Sequence, residues 1–410
     1  MVDASEYWDE ATFLWLQRRH AVGAPNYSRQ QFRDLDERLA AQVDALSLQA
    51  DAGWRPPIDS PASADDAEMF VAGLLCLRGP PSTSAALTGL LVPSDGIDGL
   101  IAALCWSPLS RVEAMIRSMS RSPTPLEQYI GVAACAGHRI EPDIEWQTRA
   151  QNPSTRVRAA SMQALGVLGR VDLLPLVLEA LTSESQLVRM RAANAAVLLG
   201  DRRRGLDALM TMAFKPGPHR RRAMRLALMT LDCAGGHDLL RQAYASEDSL
   251  RVRVMGCGLV GDARYVPWLI EQMNQPALAR VAAEAFVSVT GADFNLDQLE
   301  SMPPEGQEEG PSDDPDDDEV EVPEDVALPW PDVERVKTWW HDNHARFAAG
   351  TRLFLGQPVS AGHCIDVLER GHQRQRVVAA HHMALLEPGR VLFPTSAPAW
   401  RQDTLLQRVS

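Results

Sequence analysis

At 410 residues the chain is too long for a single compact core, which implies two or three cooperative units. Its 45% hydrophobic and 23% charged content is that of a water-soluble globular protein; with only 6% aromatics, abundant Ala, Leu and Arg favour helix over strand. The net charge of −14 is local, because residues 303–329 carry 12 acidic side chains and no Lys or Arg, whereas residues 150–294 hold 18 basic against 13 acidic ones.

The opening MVDASEYWDE is acidic and has neither the basic nor the apolar region of a signal peptide. The longest apolar run, Met69–Leu77, falls far short of the roughly 18–20 residues that span a bilayer. Cys76, Cys105, Cys135, Cys233, Cys257 and Cys364 include no CxxC pair or zinc spacing and read as reduced thiols. A cytoplasmic protein without membrane contact is expected.

Residues 1–150 form an N-terminal helical region. Phe32, Leu35, Leu39, Val43 and Leu46 make one helical stripe, and Asp65–Leu77 and Ile97–Ala103 suggest others. Breaks fall at Pro56-Pro57, Pro80-Pro81 and Pro123–Pro125. The region is either a divergent end of the repeat array that follows or a capping domain.

Residues 151–294 carry an internal repeat. Val157–Gly169 (VRAASMQALGVLG) aligns without gaps with Val188–Gly200, Ala223–Gly235 and Ala279–Gly291, and less surely with Leu250–Gly261. Val157, Ala160, Ala164, Leu165 and Leu168 make one apolar stripe, and each closing glycine suits a left-handed helix end. A second helix follows, with Pro175 and Pro267 in its first turn, where a missing N–H costs little. One such hairpin cannot bury both faces, so neighbours must stack. The expected fold is an all-α solenoid of HEAT-like helical hairpins.

Residues 295–329 read as an acidic flexible linker, too poor in apolar groups to order itself. Residues 330–410 resume helix, with a late repeat copy at Val377–Gly389. If the acidic strip is more than a spacer, it is expected to lie across the basic repeat block.

No catalytic or cofactor motif emerges. Walker A, GxGxxG and GxSxG patterns are absent, and Asp313–Glu319 lacks the spaced ligands of an EF-hand. His341 and His344 share a helical face and could ligate a metal, but a solvated polar face fits them better, so no metal is assigned. HEAT-repeat hydroxylases hold iron through His-Glu dipeptides, and this sequence contains none. The candidate partner-binding residues are arginines, whose planar forks suit carboxylates and phosphates: Arg156, Arg158, Arg189, Arg191, Arg203, Arg221, Arg222 and Arg225. They read as solvated and locally paired or as a protein-binding ridge. A modest basic excess and few aromatics disfavour nucleic acid.

The VRAAS…LG units resemble short repeats first associated with phycobilisome lyases. FLWLQRRH (13–20), LDERLAAQVDAL (35–46), the repeat block, EAFVSVTG (284–291), RQRVVAAHHMALLEPG (374–389) and APAWRQ (397–402) resemble a family of bacterial HEAT-repeat proteins encoded beside type VI secretion components. That resemblance implies no catalytic residue. It implies a non-catalytic scaffold, adaptor or chaperone for a secretion effector. The alternatives are an immunity protein for a co-encoded toxin and a lyase or isomerase of the phycobilisome type.

Overall fold

The computed structural model describes residues 4–79, 84–215, 217–242, 250–304 and 325–408. Among them lie 21 α-helices: α1 Ala4–Ala21, α2 Arg29–Asp51, α3 Asp66–Arg78, α4 Ser84–Leu90, α5 Ile97–Trp106, α6 Leu109–Arg121, α7 Pro125–His138, α8 Trp146–Ala150, α9 Thr155–Leu168, α10 Leu174–Glu179, α11 Gln186–Leu198, α12 Arg204–Phe214, α13 Arg220–Thr230, α14 Cys233–Gln242, α15 Leu250–Val260, α16 Val266–Gln272, α17 Pro276–Thr290, α18 Val333–Asn343, α19 Ala361–Arg370, α20 Gln373–Leu386 and α21 Ala399–Leu406. Two pairs of two-residue strands are the only sheet among these residues: β1 Glu300–Ser301 with β2 Trp330–Pro331, and β3 Leu353–Phe354 with β4 Gln357–Pro358. The protein is all-α, and its helical hairpins stack as a solenoid.

The hairpins are dictated locally. In α9 the Ser154 hydroxyl accepts from Val157 N–H, and in α11 Ser185 does the same for Val188 N–H, so both helices start on a serine cap. Val157, Ala164 and Leu165 are buried, with Val188, Ala192 and Ala195 in the equivalent helix. Gly169 ends α9 at φ +70°, and its missing Cβ leaves room for the Gly389 carbonyl. One expected copy differs: α13 stops at Thr230, and Gly235 lies inside α14 with the Asp232 carboxylate capping its N–H. The chain turns five residues before the glycine that the repeat alignment marks.

The packing forms two compact units, Met1–Gly205 with Ile365–Ser410, and Leu206–Cys364. In the first, α1, α3, α5, α7, α9 and α11 pack in succession as one layer. The second layer sets α2 on α1 and α3, α6 on α7, α8 on α9, and α10 on α11. The stripe Phe32, Leu35, Leu39, Val43 and Leu46 is wholly buried in this core. Half-buried Tyr129 packs against both the core of α1–α7 and that of α7–α11, so residues 4–138 continue the stack into the repeats. In the second unit α13, α15 and α17 form the row, with α14 against α13 and α15, α16 against α17, and α18 against α16.

The boundaries differ from those expected of the sequence. Residues 330–364 pack with the second unit and the late repeat copy packs with the first. The acidic segment does not connect one unit to another: Ser301 pairs with Trp330 and Glu300 with Pro331, so its two ends are adjacent points of the same unit. Arg251 pairs with Asp325, and the Arg280 guanidinium lies 4.8 Å from the Trp330 ring centre. Residues 305–324, with most of its acids, lie outside the described residues, as does its expected placement over the arginines.

In each unit a returning segment covers the carboxyl ends of the row helices, whose last carbonyls lack helical partners and carry the negative end of the helix dipole. In the first unit Leu392 N–H donates to Val167 O, and Arg202 bridges Val197 O and Leu385 O at 2.6 and 2.9 Å. In the second unit Arg352 reaches the carbonyls of Leu228, Leu231 and Leu259, and Leu353 N–H donates to Gly261 O.

Candidate functional site

The eight arginines singled out from the sequence divide between the two units, five in the first and three in the second. Arg158 and Arg189 occupy equivalent places and fold back onto their own chain, Arg158 to the carbonyls of Asn152 and Pro153, Arg189 to those of Ser183 and Glu184. They brace the entry to each repeat helix. Arg156 is exposed and Arg191 half-buried, and both act electrostatically on Tyr129, whose hydroxyl donates to Asp98 at 2.7 Å. Arg203 is exposed in the first unit. Arg221 and Arg222 are exposed and Arg225 is half-buried, all three in the second.

The feature most suited to recognition is a groove of about 410 Å³ in the first unit. One face of α5 floors it with Asp98, Ile101, Ala102 and Cys105, the i, i+3, i+4, i+7 positions of a helix. One face of α1 and the turn after it wall it with Trp15, Arg18, Arg19 and Val22. Trp15, Phe70 and Trp106 line its apolar part, their successive ring centres 5.2 and 5.8 Å apart. Gly137, Arg139 and residues 396–398 and 401 close one end.

That end is built on two buried polar ties. The first joins Arg18 to Asp36 at 2.6 Å, both nearly solvent-free, with the guanidinium between the rings of Phe32 and Trp106 at 4.6 and 4.8 Å. Arg18 also donates to Ser396 O, and the second Asp36 oxygen accepts from Ala399 N–H at 2.6 Å, so one carboxylate docks the start of α21. Burial raises the Asp36 pKa above the ordinary carboxylate value, against the pull of Arg18.

The second tie joins Arg401, His138 and Leu104. Arginine only donates, so His138 Nδ1 must accept from Arg401 Nη1 at 2.9 Å; the imidazole proton then sits on Nε2 and reaches Leu104 O at 2.9 Å. Burial and Arg401 push the His138 pKa down to about 4, keeping the ring neutral. Arg401 Nη2 donates to Cys105 O, while its buried Nε has no partner in the structure. Arg139 donates to Leu392 O and Ala136 O, and burial pushes its pKa down to about 10.

A second cleft of the same unit, about 560 Å³, lies between α2 and α21; there Arg33 pairs with Asp403 and Arg78 with Asp44, while Arg111 donates to the carbonyls of Leu77 and Arg78.

In the second unit fully buried Asp262 accepts from the N–H groups of Arg264 and Gly350 and pairs with His237 at 3.1 Å, while His237 Nδ1 meets the Tyr265 hydroxyl. Burial raises the Tyr265 pKa, so this cluster prepares no phenolate nucleophile; it caps the turn before α16 and anchors Gly350. His341 and His344 stand exposed on α18 and at its end with ring centres 6.3 Å apart, and no third metal-ligating side chain joins them among the described residues.

None of the groove residues was singled out from the sequence, because α1, α3 and α5 do not repeat the VRAAS pattern. The available signal was the spacing of Trp15, Arg18 and Arg19 on one helical face.

With this geometry in place, the repeats can be compared with known ones: residues 145–229 match the family model described as HEAT repeats. No curated protein matches the sequence. Among the described residues no helix is long and apolar enough to cross a membrane.

Proposed function

We propose that the protein is a non-catalytic binding scaffold, an adaptor or chaperone in the cytoplasm, that holds a protein partner on the exposed face of its row helices. The observation that carries this reading is the groove floored by α5 and walled by α1, which brings half-buried apolar and guanidinium surface together. Arg156 and Arg191, around Tyr129, would extend that surface along the row of the first unit; Arg203 in that unit, and Arg221, Arg222 and Arg225 in the second, are separate candidate contacts. The class of partner we favour, a type VI secretion effector, rests on the sequence resemblance alone.

The test is capture of the tagged full chain from cells that encode it, with nuclease treatment before elution and mass spectrometry of what co-elutes. A single protein recovered in near-stoichiometric amount is expected. Loss of all co-eluting protein after nuclease, or none at the outset, would overturn the reading. If the partner is a toxin that kills cells unless this chain is co-expressed, neutralisation replaces delivery as its role.

A further inference from the structure

The closed end of the groove carries more positive charge than its own residues neutralise. Arg139 and Arg401 line it together, and neither forms an ion pair with a carboxylate among the described residues. Their hydrogen-bond partners among the described residues are carbonyl oxygens and a neutral imidazole. Arg139 Nη2 has no hydrogen-bond partner there, and Arg401 Nε is buried without one. Burial lowers the proton affinity of the Arg139 guanidinium and Arg401 lowers it further, as a nearby cation does. Arg18 and Arg19, by contrast, are matched by Asp36 and Asp66 at 2.6 Å each. Both side chains are half-buried, and an anion supplied from outside would meet their accessible donors with charge-assisted hydrogen bonds.

The remainder of the groove fixes what else such an anion must carry. From Asp98 to Cys105 the floor rises about 10 Å, from about 1.5 Å per helical residue. That is room for roughly three extended residues at about 3.3 Å each. Half-buried Val22, Ile101 and Ala102 offer apolar contact along it, backed by the buried rings of Trp15 and Phe70, and Asp98 stands towards the opposite end, where the Tyr129 hydroxyl donates to it.

We propose that this groove binds a short extended segment of a partner protein, seating an acidic side chain against Arg139 and Arg401 and an adjacent apolar side chain against Ile101 and Ala102. The assignment rests on the scaffold reading and gives it a recognition chemistry. Acidic ligands lacking the apolar neighbour would miss half of the surface. The ordinary exposed pair contributes little, but here one partner is already desolvated and fixed by the fold.

The test uses the full chain and a fluorescent, terminally blocked heptapeptide with Leu-Glu-Phe at its centre, followed by anisotropy. The counterpart with Gln in place of Glu is expected to bind at least about tenfold more weakly, the loss of one charge-assisted contact. Arg139→Met should remove that discrimination. Because Arg139 also anchors Leu392, a second variant leaves both arginines intact: Ala102→Trp, on the half-buried floor, should abolish binding with an unchanged melting temperature. Equal binding of the two peptides, undiminished binding to Ala102→Trp, or displacement by inorganic phosphate at the peptide's own affinity would each overturn the assignment. If Ala102→Trp still captures the cellular partner at the wild-type level, the groove is not its site and the scaffold reading stands.

Discussion

Arg401 and His138, 263 positions apart in sequence, share one hydrogen bond of 2.9 Å that can form only while the imidazole is neutral. In the unfolded chain this histidine titrates near its ordinary value, about 6.5, whereas in the folded state it titrates near 4. Between those values the unfolded chain binds a proton that the folded chain refuses. Stability therefore declines as pH falls through that window, by on the order of 2–3 kcal/mol at its acid end. His138→Gln keeps a donor for Leu104 but cannot titrate. Urea unfolding from pH 7 to pH 4 should show a shallower decline for this variant; parallel curves would place the acid sensitivity elsewhere.

The Arg18–Asp36 pair should behave as a unit. Arg18→Met or Asp36→Leu alone leaves a buried charge without its counterion and should cost about 3–5 kcal/mol. The double variant should cost less than the two single losses together, because no orphaned charge remains. Urea midpoints of the four chains measure this, and strict additivity would mean the two side chains act independently.

The glycine caps make a steric prediction. A Cβ on Gly169 would lie 2.1 Å from the Gly389 carbonyl oxygen, and one on Gly261 2.1 Å from that of Leu353, both at positive φ. Gly169→Ala and Gly261→Ala should each lower stability by more than the roughly 1 kcal/mol of left-handed strain alone. Gly23→Ala, with nothing within 4 Å of the added carbon, is the control and should melt like the parent.

Much of this was legible in the sequence, for identifiable reasons. Val157, Leu165 and Val188 recur at helical spacing and are buried, because the same hairpin must present the same stripe to each neighbour. Pro175 and Pro267 open α10 and α16 as their tolerance for a missing N–H requires. The site was far less legible. Arg158 and Arg189 looked like a surface ridge because periodicity reports where a side chain starts and not the carbonyl on which it ends. The groove depends on Arg139 and Arg401 meeting across 262 positions, and no local pattern encodes that.

The acidic segment offers a direct check on its linkage. Residues 301 and 330 are paired neighbours, a separation of about 5 Å across a strand pair. Replacing residues 305–324 with six Gly/Ser residues should leave the melting temperature of the chain within about a degree, since closing a shorter loop costs slightly less entropy. A large fall would mean that those residues hold the fold together, and would also remove any role as a mere connection.

The buried carboxylate of Asp36 on Ala399, and that of Asp403 on Arg33, also set an order of assembly. Helices α1 and α2 acquire their final partners only after position 403 has been synthesised, 370 positions beyond Arg33. Until then Arg18 lacks the Ser396 contact, and the carboxyl ends of α5 and α9 stand uncovered. The first unit is thus completed late and through distant contacts, the circumstance in which folding is slow and unfinished surfaces most need protection.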